Sequence, residues 1–101
     1  MNIAYVLLAL NKIDQAKASC RKLLDFKKDL YKTYYILGYI EEEKNNPDGA
    51  IEYYYKSILN NRDFPDSYAN LGSIYYNQAN YINAINFWED ALKRGKRDRE
   101  I

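Results

Sequence analysis

A chain of 101 residues, 48% hydrophobic and 29% charged, has room for one helical domain and the composition of a soluble protein. Fifteen basic against fourteen acidic residues leave a formal charge of +1, so no global field favours nucleic acid or an anionic membrane. A single cysteine excludes an intrachain disulfide, and the absence of histidine removes the commonest general base and metal ligand.

Ile3 to Leu10 is an apolar run too short to span a bilayer, and it lacks the flanks of a secretory signal. It predicts the remaining turns of a first helix, with Ile3, Val6, Leu7 and Leu10 facing a neighbour. With no signal in view, a cytoplasmic location is expected. A turn at Asn11 to Ile13 leads into a second helix from about Asp14 to Phe26, with Ala16, Cys20, Leu23 and Leu24 inward and Lys12, Lys17, Arg21 and Lys22 outward. Lys27 and Lys28 close it, as a helix C-terminus favours. The third helix, about Asp29 to Lys44, ends on Glu41, Glu42 and Glu43, where the helix dipole disfavours acids. A solvated face is expected there, with Lys17, Lys56 or a ligand as the alternative basic partner of Glu41. Asn46-Pro47-Asp48 restarts the chain as a fourth helix reaching about Asn60: a cap, a proline suited to the first turn, and an acid at the positive end. Asp63-Phe64-Pro65-Asp66 repeats that logic for the fifth, with Asp63 or Phe64 as the cap. Asn80 caps the sixth, which runs from about Tyr81 into Arg94 until Gly95 ends or bends it.

The last two helices carry the clearest stripes: Tyr68, Leu71, Gly72 and Tyr75 on one, then Ala84, Ile85, Trp88, Ala91 and Leu92 on the other. A shift of 34 residues, Tyr68 back to Tyr34, also lays Leu37, Gly38, Ile40, Asn46, Ala50 and Ile51 on Leu71, Gly72, Ile74, Asn80, Ala84 and Ile85. One more shift brings Ile3, Ala4, Val6, Ala16 and Cys20 to equivalent places. In this pattern the chain resembles the tetratricopeptide repeat family: an aromatic, two residues, Leu-Gly, two residues, Tyr, then Ala, three residues and an aromatic. The third unit matches through Tyr68, Leu71, Gly72, Tyr75, Ala84 and Trp88, and the second through Tyr34, Leu37, Gly38, Ala50 and Tyr54. Glu41 replaces the family's Tyr, Ala4 its Gly, Cys20 its aromatic, and Lys28, Arg62 and Lys96 its Pro.

The resemblance implies an all-α, right-handed α-solenoid of antiparallel helix pairs, about six helices in one domain over residues 1–101. Its units are about 1–30, truncated at the front, 31–64 and 65–98, with 99–101 beginning a further unit or tail. It also implies a protein-interaction scaffold that holds a protein or peptide in a concave groove, with no catalysis, cofactor or metal. In such arrays the first helix of each unit lines the groove, which marks Tyr5, Tyr35, Tyr39, Glu42, Asp66, Asn70, Ser73, Tyr76 and Asn77 as the protein-binding candidates. No Lys or Arg is among them. Family members that clamp a peptide's terminal carboxylate need cationic or amide donors, whereas Met1, Tyr5, Ile36, Asp66 and Asn70 stand at those positions and only Asn70 would serve. A groove of tyrosines, amides and acids suits an extended segment with apolar or basic side chains and disfavours RNA. Carboxylates without an activated nucleophile or phosphate loop make an enzyme the weakest reading. No polar helix covers the last pair, so Ile82, Phe87 or Tyr53 is expected to stay partly exposed. Self-association through end faces into a homo-oligomer, or continuation into a longer array, is the competing function.

Overall fold

The computed structural model describes residues 13–26 and 30–99. Their regular structure is five helices: α1 (Ile13–Phe26), α2 (Leu30–Glu43), α3 (Pro47–Asn60), α4 (Pro65–Asn77) and α5 (Tyr81–Arg99). These are the expected second to sixth helices. The expected first helix, Ile3 to Leu10, lies outside the described residues, as do Lys27 and Lys28. The broadest packing joins α2 to α3 and α4 to α5, with narrower seams between α1 and α2 and between α3 and α4. Two helical hairpins therefore stack in sequence behind a leading helix, as nearest-neighbour packing in a solenoid requires. No helix among the described residues is long and apolar enough to cross a membrane.

Local chemistry sets most of the boundaries. Asn46 Oδ1 accepts from the Gly49 N–H at 3.3 Å, with Pro47 in the first turn and Asp48 behind it. At α4, Phe64, one of the two expected caps, occupies the cap position and makes no side-chain cap bond. Its ring packs edge-on against Tyr31 at 5.1 Å and Tyr35 at 5.3 Å, so this position serves the seam between hairpins instead. Asp63 turns its carboxylate to Arg94 at 3.4 Å.

Two helix ends repeat the same turn one period apart. Asn45 takes φ 61° while Asn46 N–H reaches the Glu41 carbonyl at 2.9 Å; Ala79 takes φ 62° while Asn80 N–H reaches the Tyr75 carbonyl at 2.9 Å. Asparagine tolerates that left-handed conformation, whereas alanine accepts a strain of about 1 kcal/mol. By contrast, α5 does not stop at Gly95 but continues to Arg99. A mid-helix glycine costs only about 1 kcal/mol, and the good helix formers Lys93, Arg94, Lys96 and Arg97 flank it on both sides.

The interior is divided between neighbours rather than pooled. One cluster joins Ala16 and Cys20 to Ile36, Leu37 and Ile40; the other joins Ala50, Tyr54 and Ile58 to Tyr68, Leu71 and Ile74. Burial pushes the Cys20 thiol up to about 11, so this cysteine acts as a small packing residue. Gly38 faces the Tyr54 ring and Gly72 faces the Trp88 indole so closely that an added Cβ would overlap each ring. Each glycine thus admits the large residue of its own hairpin partner.

Two expectations fail on packing. Ile85 and Leu92 were expected on the inward stripe of α5 but are 52% and 66% exposed. α4 is the principal neighbour of α5, so a stripe wide enough for two neighbours stays half open. Ile82 is exposed as expected, while Phe87 and Tyr53 are half-buried against other rings. Glu41 Oε2 accepts from Asn46 Nδ2 at 2.7 Å and its charge also acts on Lys17, while Lys56 lies 3.7 Å from Glu52.

Candidate protein-binding site

On α2, Tyr35, Tyr39 and Glu42 fall at i, i+4 and i+7, one stripe of the helix; on α4, Asp66, Asn70, Ser73 and Asn77 form the matching stripe. The two are joined by a residue that the stripes do not contain. Tyr54 rises from α3 between them, its side chain fully buried, and its hydroxyl donates to Glu42 Oε1 at 2.5 Å. Asn70 Nδ2 donates to the Tyr54 hydroxyl at 3.0 Å and to the Tyr35 hydroxyl at 3.3 Å. The rings of Tyr35 and Tyr54 sit 5.6 Å apart. Three of the nine candidates, Tyr35, Glu42 and Asn70, are therefore locked into one network that crosses the seam between hairpins. Glu42 and Asn77 also share a cavity of about 320 Å³ with Asn45, Ile74 and Gln78.

The remaining candidates fare differently. Tyr39 and Tyr76 present their rings to solvent, 39% and 52% exposed. Tyr76 is steadied by Trp88 at 5.6 Å and Tyr81 at 5.3 Å. Ser73 bonds back to the Ala69 carbonyl of its own helix at 3.2 Å, and Asp66 belongs to a different concavity, between α4 and α5. Tyr5 lies outside the described residues. Ile36, one of the clamp positions, is buried in the first core cluster and faces no ligand. Sequence reasoning placed Tyr54 among the packing aromatics and missed its polar role. The available signal was chemical: a tyrosine in place of phenylalanine buries a hydroxyl that must find partners.

The electrostatics run in one direction. Burial raises the Glu42 carboxyl above its usual range, partly offset by the Tyr54 hydrogen bond, and burial likewise raises Asp66 and Tyr35. Tyr39 is raised first by the charge of Glu43. A carboxyl whose folded-state value is raised costs stability at neutral pH, and this cost disappears as pH falls through the raised value. Acidification from neutrality into the carboxylate range is therefore expected to favour the wild type over Glu42→Gln, whose amide does not titrate. Thermal melts of both proteins along a pH series should show Tm of the wild type gaining on the variant as pH falls; a Tm difference that stays constant or moves in the variant's favour would refute the assignment.

Comparison with known proteins adds the following. Family models described as tetratricopeptide repeat match residues 1–30, 31–64 and 66–97. Among solved structures, the "Crystal structure of MamA" superposes with a TM-score of 0.82 at 19% identity, covering 97% of this chain and 57% of that one. A second, "Crystal structure of MamA protein", gives 0.76 at 20% identity over 96% of this chain and 53% of that chain. The "MamA RS-1 ArsTM double mutant" gives 0.78 at 15% identity, covering 94% and 53%. These likenesses are likenesses of fold, and the chain spans a little over half the length of those proteins. No curated protein matches.

Proposed function

Because the chain belongs to the tetratricopeptide repeat family, we propose that it works by binding alone, holding an extended segment of another protein across the α2 and α4 stripes. The observation that carries this reading is the network of Tyr35, Tyr54, Asn70 and Glu42. It fixes polar groups on both stripes before any ligand arrives, so little side-chain freedom is lost on binding. Tyr39 and Tyr76 supply exposed aromatic faces beside it, able to stack on a segment while hydroxyls and amides bond its backbone. Glu42, a partly desolvated carboxyl with no basic residue in the stripes, favours a lysine or arginine side chain in that segment.

The test is affinity capture from the native cell followed by crosslinking mass spectrometry, with wild type and Tyr39→Ala/Tyr76→Ala compared. Both rings are exposed, so the double variant should fold normally. Capture of the leading partner should weaken at least about tenfold, since buried aromatic anchors commonly contribute more than about 1 kcal/mol each. Unchanged capture by the folded variant, or crosslinks confined to other surfaces, would overturn the groove reading. Tyr35→Ala is a poorer probe, because it also breaks the network that holds Asn70.

A further inference from the structure

Beside the network of Tyr35, Tyr54, Asn70 and Glu42, a cavity of about 320 Å³ opens where α2 and α4 end. Glu42, Asn45, Pro47, Ile74, Asn77 and Gln78 line it, so it holds one acid and no basic residue. It lies inside the array, between the two hairpins, and not on the face beyond α5.

The polar groups around this space are short of donors. Glu42 is half-buried, and the Tyr54 hydroxyl occupies its Oε1, while Oε2 accepts from no group among the described residues. The side-chain amides of Asn45, Asn77 and Gln78 make no hydrogen bond among the described residues either, so each is free to turn its carbonyl to a donor. Because α2 stops at Glu43 and α4 at Asn77, the negative ends of both helices meet the same cavity. The positive end of α3 at Pro47 opposes them, but Asn46 Oδ1 and the acid Asp48 already answer it. The repeat shows that this imbalance belongs to one seam. One period earlier, Leu8, Glu43 and Lys44 stand in place of Glu42, Asn77 and Gln78, an acid next to its own base; one period later, Tyr76 stands in place of Glu42.

We propose that this cavity is the specificity pocket for one arginine of the bound segment, taken in preference to lysine. The inference rests on the reading that a segment lies across the α2 and α4 stripes, and it adds which residue that segment carries at this point. A planar guanidinium has five N–H donors, enough to reach Glu42 Oε2 and the surrounding amide carbonyls together, and it sheds water more readily than an ammonium. Its stem can lie along Ile74 and Pro47. Lysine brings three donors on a compact, strongly hydrated charge, so more of the acceptors stay unfilled.

The probes are N-acetyl-arginine methylamide and its lysine counterpart, titrated into the isotope-labelled full chain while NMR follows the amide signals of Asn45, Asn77 and Gln78. The arginine probe should shift these signals saturably and bind at least about fivefold more tightly than the lysine probe. Glu42→Gln, which keeps an acceptor for the Tyr54 hydroxyl, should weaken it at least about tenfold. Gln78→Lys, at an exposed position, places a cation at the cavity without touching the Glu42–Tyr54 bond and should abolish binding. No saturable shift, equal affinity for the lysine probe, or binding indifferent to both variants would overturn the proposal. Capture from the native cell separates this result from the groove reading. Capture that needs Tyr39 and Tyr76 but ignores Gln78→Lys sinks the arginine pocket alone, whereas saturable arginine binding beside capture indifferent to both tyrosines keeps the pocket and sinks the groove reading.

Discussion

Tyr54→Ala is expected to lower stability by about 3–5 kcal/mol, the range for emptying a large aromatic site in a packed interior, and to leave little of the array folded at room temperature. The ring is fully buried between Ala50, Ile58, Tyr68 and Leu71, so its removal opens a cavity in the cluster that joins the two hairpins. The hydroxyl adds to the loss. Without it Glu42 keeps no donor from α3, and Asn70 keeps only the longer bond to Tyr35. Burial and the Glu42 charge both push the Tyr54 phenol far above its ordinary value, so it remains a protonated donor at any pH at which the fold survives. Tyr54→Phe separates the two contributions: it keeps the volume and should cost about 1–3 kcal/mol. Urea denaturation of both variants checks the order. If Tyr54→Phe were as damaging as Tyr54→Ala, the ring would have no packing role; if both were neutral, the seam would not hold the hairpins together.

Gly38→Val is expected to be comparably severe, and for the opposite reason. A Cβ on Gly38 would meet Tyr54 Cε1 at 2.7 Å and Cδ1 at 2.8 Å. That ring cannot retreat, since it is buried on all sides and its hydroxyl is held from both stripes. Overpacking costs about 1–3 kcal/mol and sometimes more, against roughly 1 kcal/mol recovered by removing a glycine from a helix. Gly38→Ala should therefore be destabilising in spite of its better helix propensity, and Gly38→Val more so. Gly72 makes the equivalent approach to Trp88, but that indole is only partly buried and can move outward, so Gly72→Ala should cost less than Gly38→Ala. Denaturation midpoints of the three variants decide the point. A Gly38→Ala protein as stable as the wild type would mean that the ring yields and that the network does not pin it.

The dependence of Gly38 on Tyr54, and of Gly72 on Trp88, marks where sequence reading stops. The repeat placed a small residue and a large one in each hairpin, but it did not say that they touch each other. Small glycines were expected to let helices approach while several aromatics filled the surrounding space. Instead, one aromatic of each hairpin lies directly on its glycine. A stripe states which side of a helix is apolar, whereas contact depends on how deeply two helices interlock.

What the sequence determined by itself was local or periodic: five described helices close to their expected limits, the Asn46 cap, and the 34-residue period that aligns Asn46 with Asn80, Tyr35 with Ala69 and Ser57 with Ala91. Caps, turns and helical stripes are governed by neighbours within a few residues, so a linear chain displays them directly. Only the tertiary structure decided that Tyr54 carries the polar link between Glu42 and Asn70, that the Phe64 cap packs its ring into the seam, that Glu41 answers to Asn46, and that Ile85 and Leu92 remain open. Each of these depends on which residue of another helix or turn stands opposite. Burial and hydrogen bonding belong to pairs of residues brought together by folding, and half of each pair is invisible from the other's place in the chain.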